Sequence, residues 1–201
     1  MSRQTAAIIL VGSIPLAFGI GSVSPIGELG LLLELAVFVW VARNVTGFAG
    51  GAFRGAIAGA VAGVLVLGVG LRLAMRVVAI SDPIRTPEFS VGGTAFILVG
   101  IGLMLGTFVG AYLGGLRHLL GLGSRSVILI GTVALVLVLF GDSETRSELF
   151  DLGLGGWVNI PMFGAIVVAY CWTQDVIVRG LDRRASRGLG VSDDAEPAPV
   201  P

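Results

Sequence analysis

The chain has 201 residues, of which 55% are hydrophobic and only 13% are charged, and 32 of them are glycine. Soluble domains carry about 25% charged residues, so this chain has too little polar surface to cover itself in water. That excludes a soluble globular domain, and a mean hydropathy of +0.95 excludes disorder over most of the length. The composition therefore predicts a membrane protein.

Charge and metal-ligand counts exclude further classes. The 13 basic residues balance the 13 acidic ones, so no overall field attracts nucleic acid, and we expect no nucleic-acid partner. The one cysteine, Cys171, and the one histidine, His118, are too few for a zinc site, which takes roughly three or four ligands. We expect no metal and no other cofactor.

Six apolar stretches approach the length of about 20 residues that a membrane-spanning helix needs. Backbone polar groups in lipid bond within their own segment, so each stretch is predicted to be a helix. The fold class is therefore an all-α membrane protein, a six-helix transmembrane bundle that occupies residues 1–180. The predicted spans are residues 5–23, 27–42, 54–80, 92–116, 125–141 and 157–178.

The arginines predict the orientation of these spans. With the N-terminus inside, nine arginines lie on the inner side, whereas the outer loops hold only Arg85 and Arg146. The inner set is Arg3, Arg43, Arg54, Arg117, Arg125, Arg179, Arg183, Arg184 and Arg187. This bias predicts an N-in/C-in topology. The basic residues are all arginine, as is typical of a GC-rich bacterial genome, so we expect the bacterial inner membrane.

The two ends of the chain are interpreted separately. The first span, which follows Arg3, also has the apolar run of a signal peptide, but no cleavage site of the usual small-residue kind follows it. Residues 181–201 are predicted to form a basic juxtamembrane segment followed by a disordered, acidic and proline-rich cytoplasmic tail.

Two neighbouring spans carry glycine at every fourth position. Residues four apart share one helix face, and glycine lets a second backbone approach closely. The two spans run antiparallel, so their glycine faces match in depth. This glycine zipper predicts tight packing of the two helices or, alternatively, a sliding or dimerising surface. The glycines are Gly55, Gly59 and Gly63 on the third span and Gly102, Gly106, Gly110 and Gly114 on the fourth.

Three charged residues inside predicted spans are not explained by the inside–outside distribution of charge: Glu34, Arg72 and Arg76. A lone charge at that depth costs roughly 2.5–3.5 kcal/mol, so we predict that Glu34 pairs with Arg72. The pair is either a structural lock between two helices or part of an outward-facing polar site that binds an anionic group. In a third alternative, Glu34 faces another helix.

The outer loop at residues 81–94 contains two prolines and two consecutive glycines and follows the Arg76 end of the third span. Its charged residues, Asp82, Arg85 and Glu88, are candidates for a lid over an outward cavity. The alternative is an ordinary rigid connection. In the sixth span, Asp175 is predicted to pair with Arg179, four residues later.

Three function classes remain. The first is a small permease-like or membrane-complex protein with the Glu/Arg polar site. The second is a non-catalytic structural or assembly subunit packed through glycine faces. The third is an intramembrane enzyme that acts on a lipid-like substrate, for which one carboxylate and two arginines are a thin catalytic set. The expected partners are the lipid bilayer and either further copies of the chain or other membrane subunits.

Overall fold

A computed structural model of the chain describes residues 2–21, 27–81, 91–141 and 155–189. Within these ranges the chain is helical and contains no strand, which confirms the all-α prediction. The six continuous helices there are α1 (Arg3–Gly21), α2 (Gly27–Asn44), α3 (Phe48–Ser81), α4 (91–120), α5 (Ser124–Gly141) and α6 (Gly156–Leu189).

Three of these helices are long and apolar enough to cross a membrane. Among the described residues they are Phe48–Ser81, Gly92–Leu120 and Gly156–Ala185. All three exceed the predicted spans, and α4 ends at Leu120 rather than at residue 116. α3 begins at Phe48 rather than at residue 54, and α6 continues to Leu189 rather than ending near 178. The predicted juxtamembrane segment is therefore helical as far as it is described.

Two glycines with left-handed backbone lie in the turns next to α3 and α4, at one end of the bundle. Gly47, just before α3, has φ of 83°, and Gly121, just after α4, has φ of 61°. Side chains disfavour this left-handed conformation, so glycine is the residue that makes both turns at low cost. The Gly121 N–H donates to the Arg117 carbonyl and closes the last turn of α4.

Midway along α3 and α4, the backbone winds into wider π-helical turns, at Gly63–Gly68 and Phe96–Leu105. A π turn bonds each N–H to the carbonyl five residues earlier, so it adds one residue to the turn. In α3 it brings Gly68, five residues after Gly63, onto the face towards α4. A Cβ at Gly68 would lie 3.2 Å from Leu98 Cα.

The bundle is organised around α3, α4 and α6. α5 packs mainly on α6. α1 and α2 pack on each other, and α1 also contacts α4 while α2 contacts α3. Two apolar clusters result. One surrounds Phe48, where α1 to α4 meet, and the other surrounds Tyr170, where α3 to α6 meet. The Phe38 ring packs edge-on against Phe48, with ring centroids 5.2 Å apart.

We expect Phe48→Ala to destabilise the protein by about 3 kcal/mol or more, because the ring is fully buried and its removal leaves a cavity. Thermal unfolding in detergent, followed by circular dichroism, measures the loss. Phe53→Ala is the matched control, since Phe53 lies on the same helix and is 66% exposed. Equal stability of the two variants would contradict the packing described for Phe48.

Candidate functional site

The two predicted glycine ladders face each other along α3 and α4. The pairs meet in antiparallel order, from Gly55 opposite Gly110 and Gly114 to Gly63 opposite Gly102 and Gly106. Gly59 lies between them, opposite Gly106 and Gly110. Gly51, which the sequence analysis did not single out, extends the row towards Gly114. We call this contact the glycine seam.

A side chain at most of these positions, including Gly55, Gly59 and Gly63, would collide with backbone. A Cβ at Gly59 would lie 2.7 Å from Gly110 Cα, and one at Gly63 would lie 2.8 Å from Gly106 Cα. The atoms in the way are main-chain atoms, which do not rotate aside. The glycine seam is therefore backbone packed against backbone, and the absence of side chains is what permits it.

α6 bonds to the α4 backbone at the glycine seam through two polar side chains, which reach the same carbonyls that approach α3. The Tyr170 hydroxyl donates to the Gly106 carbonyl at 2.9 Å, and the Gln174 amide donates to the Gly110 carbonyl at 3.4 Å. Both donors lie 64 residues after their acceptors, so α4 and α6 run parallel and in fixed register. A buried hydroxyl or amide without a partner is costly, and here the α4 backbone supplies the partner.

One end of the bundle carries a cluster of buried and half-buried charges. Asp175, whose side chain is fully buried, lies 2.9 Å from Arg117 Nη1 and 2.9 Å from Arg179 Nε. The predicted Asp175–Arg179 pair is thus confirmed, and Arg117 from α4 joins it. The two guanidinium groups offset the free-energy cost of burying this carboxylate. The Arg117–Asp175 ion pair also links α4 to α6.

A cleft of about 350 Å³ opens beside this cluster. Arg54, Arg117, His118 and Asp182 line it, together with Gly51 and Gly114 from one end of the glycine seam. Arg54 Nη1 lies 2.8 Å from Asp182 Oδ1, and both side chains are more than a third exposed. We call this space the Arg54 cleft.

His118 belongs to the wall of the cleft because two glycines make room for it. A Cβ at Gly47 would lie 2.6 Å from His118 Nε2, and one at Gly51 would lie 3.0 Å from His118 Cβ. The same ring nitrogen lies 3.3 Å from the Thr46 carbonyl oxygen. The sequence analysis had not assigned His118 to any site.

Glu34 is buried, as its position in a predicted span requires, but its neighbours are not arginines. Its carboxylate faces the hydroxyls of Ser13 and Tyr112, both of which donate to the Leu10 carbonyl, at 2.9 and 2.6 Å. Among the described residues no hydrogen-bond donor reaches either carboxylate oxygen. α2 packs chiefly on α1, and this orientation turns Glu34 towards α1 and α4.

The predicted Glu34–Arg72 pair is therefore wrong. Arg72 is half-buried and Arg76 is exposed, on the part of α3 that packs on α4 and α6 and not on α2. The predicted alternative in which Glu34 faces another helix describes its surroundings. The lid candidates Asp82, Arg85 and Glu88 lie outside the described residues.

Comparison with known proteins adds no assignment. No family model matches the chain, and no curated protein or solved structure is similar to it.

We expect Gly59→Ala to prevent normal assembly of the bundle, because its methyl group would force α3 and α4 apart along the whole seam. The measurement is the yield of monodisperse protein by size-exclusion chromatography, which should fall several-fold. Gly50→Ala is the control, because a Cβ at Gly50 meets nothing within 4 Å. Wild-type yield from Gly59→Ala would show that the seam is looser than described.

Proposed function

We propose that the chain is a six-span protein of the bacterial inner membrane, with both termini in the cytoplasm, and that it serves as a non-catalytic subunit of a membrane complex. The glycine seam is the observation that carries the proposal. It closes the space between α3 and α4 to any solute, since not even a methyl group fits there. A rigid closed centre suits a scaffold better than a transport path.

The polar groups of α6 support the same conclusion. Tyr170 and Gln174 donate to α4, and Asp175 pairs with two arginines, so these groups hold helices together. The outward polar site that a permease would use also loses its main element, because Glu34 and Arg72 do not pair.

Contacts with a partner would then be made by the outer, apolar surface. The glycine seam is a contact within one chain, so it is not the dimerising face considered from the sequence. Large exposed side chains such as Ile8, Leu65, Phe96 and Met104 remain for contact with lipid or with another subunit.

The topology has its own test. We expect green fluorescent protein fused after residue 201 to fluoresce, because that fusion would lie in the cytoplasm. Alkaline phosphatase inserted within residues 142–151 should be active, because the predicted loop is outside. The same two reporters exchanged between the positions are the control. The reverse pattern of activity would contradict the N-in/C-in orientation.

The subunit proposal predicts a discrete complex. Native mass spectrometry of the protein released from membranes in mild detergent should give a mass well above the 20.6 kDa of one chain. Multiples of that mass identify further copies, and any other fixed increment identifies a different subunit. The same sample in denaturing detergent is the control and should return the single-chain mass.

A strictly monomeric protein in that experiment would contradict the subunit proposal and favour the permease-like alternative. One observation favours that alternative. Glu34 is a buried carboxyl group inside a predicted span, next to two hydroxyls, and ionisable groups at such positions commonly mark ion or proton paths.

A further inference from the structure

We infer that the Arg54 cleft binds a phosphoryl group at the membrane surface, either the headgroup of an anionic lipid or a free phosphate ester. This goes beyond the role as a subunit, which requires no ligand. The cleft places Arg54, Arg117 and His118 around one opening of about 350 Å³. Guanidinium groups match the geometry of phosphate oxygens, to which they donate in pairs.

Arg117 is held by a buried ion pair and Arg54 by an exposed one, and this difference suits the binding of a phosphoryl group. Arg117 is fixed by Asp175, whose side chain is fully buried. Arg54 is paired with Asp182, and the exposure of these two side chains is 36% and 39%. Exposed ion pairs are weak and exchange readily, so a phosphoryl group can replace Asp182 as the partner of the Arg54 guanidinium.

The charge balance of the cleft favours an anion. Its ionic network contains three arginines, Arg54, Arg117 and Arg179, against two carboxylates, Asp175 and Asp182. One positive charge is therefore in excess before His118 is counted. When a phosphoryl group displaces Asp182, Arg54 keeps an anionic partner and the aspartate turns to water.

The cleft lies at the end of the glycine seam. Gly51 and Gly114 line it, and the close contact of α3 and α4 at these two glycines places Arg54 and Arg117 on neighbouring helices beside one opening. Its volume lies at the lower end of the range of about 300–1,000 Å³ seen for small-molecule sites, which suits a headgroup better than a large solute.

The surroundings favour a lipid as the source of the phosphoryl group. In the described part of α6, Arg183 and Arg184 follow Asp182 and are exposed, at the same end of the bundle as the cleft. Clusters of arginine next to a membrane span attract anionic headgroups. Such a cluster raises the local concentration of anionic lipid at the mouth of the cleft.

The test uses the full-length protein in mild detergent at low salt, titrated by isothermal calorimetry. The probes are dihexanoyl phosphatidic acid, inorganic phosphate and, as the zwitterionic comparison, dihexanoyl phosphatidylcholine. We expect saturable binding of phosphatidic acid that Arg54→Gln weakens about tenfold or more, since it removes a charged donor pair. Arg125→Gln is the matched control: Arg125 is an exposed arginine outside the cleft lining and should leave the affinity unchanged.

A second variant keeps the test decisive if Arg54→Gln folds poorly. Asp182→Asn removes the competing carboxylate, so it should tighten the binding of phosphatidic acid. Binding of phosphatidic acid without inorganic phosphate identifies a lipid headgroup, and binding of both identifies a general phosphoryl site. Equal affinity for phosphatidylcholine, or equal weakening by Arg54→Gln and Arg125→Gln, would overturn the inference.

Discussion

The close approach of the α3 and α4 backbones is the constraint on which the rest of the structure depends. In the membrane location proposed for these helices, no hydrophobic effect drives helix association, so it relies on close van der Waals contact and on hydrogen bonds. Glycine at every fourth position supplies the contact, and the π turn at Gly63–Gly68 prolongs it by bringing Gly68 into phase. The Gly106 and Gly110 carbonyls that approach α3 in this contact also accept hydrogen bonds from α6.

The placement of charge follows from that packing. Asp175 is tolerated in a fully buried position because Arg117 of α4 reaches within 2.9 Å of it, whereas α6 itself packs mainly on α3 and α5. The Arg54 cleft opens where the glycine seam ends and the two helices begin to carry long polar side chains. Glu34 lies on α2, away from the seam, and its carboxylate is set among hydroxyl groups and not beside a cation.

The success and the failure of the sequence-based predictions have one physical explanation. The facing of the two glycine ladders follows from their spacing and from the antiparallel direction of consecutive spans, and both are properties of the sequence. A pair such as Glu34 and Arg72 shares a similar depth, but depth does not specify rotation about a helix axis. α2 packs on α1, and that contact turns Glu34 away from α3.

The sequence by itself determined the all-α class, three helices long and apolar enough to cross a membrane, and the glycine faces, because hydropathy and periodicity act along one chain. It also contained the Asp175–Arg179 pair, whose members are four residues apart on one helix. Only the tertiary structure decided that Arg117 joins this pair, that His118 fits over Gly47 and Gly51, and that Arg54 and Asp182 close a cleft. Those contacts join different helices, so they depend on which helices are neighbours and on how each is rotated.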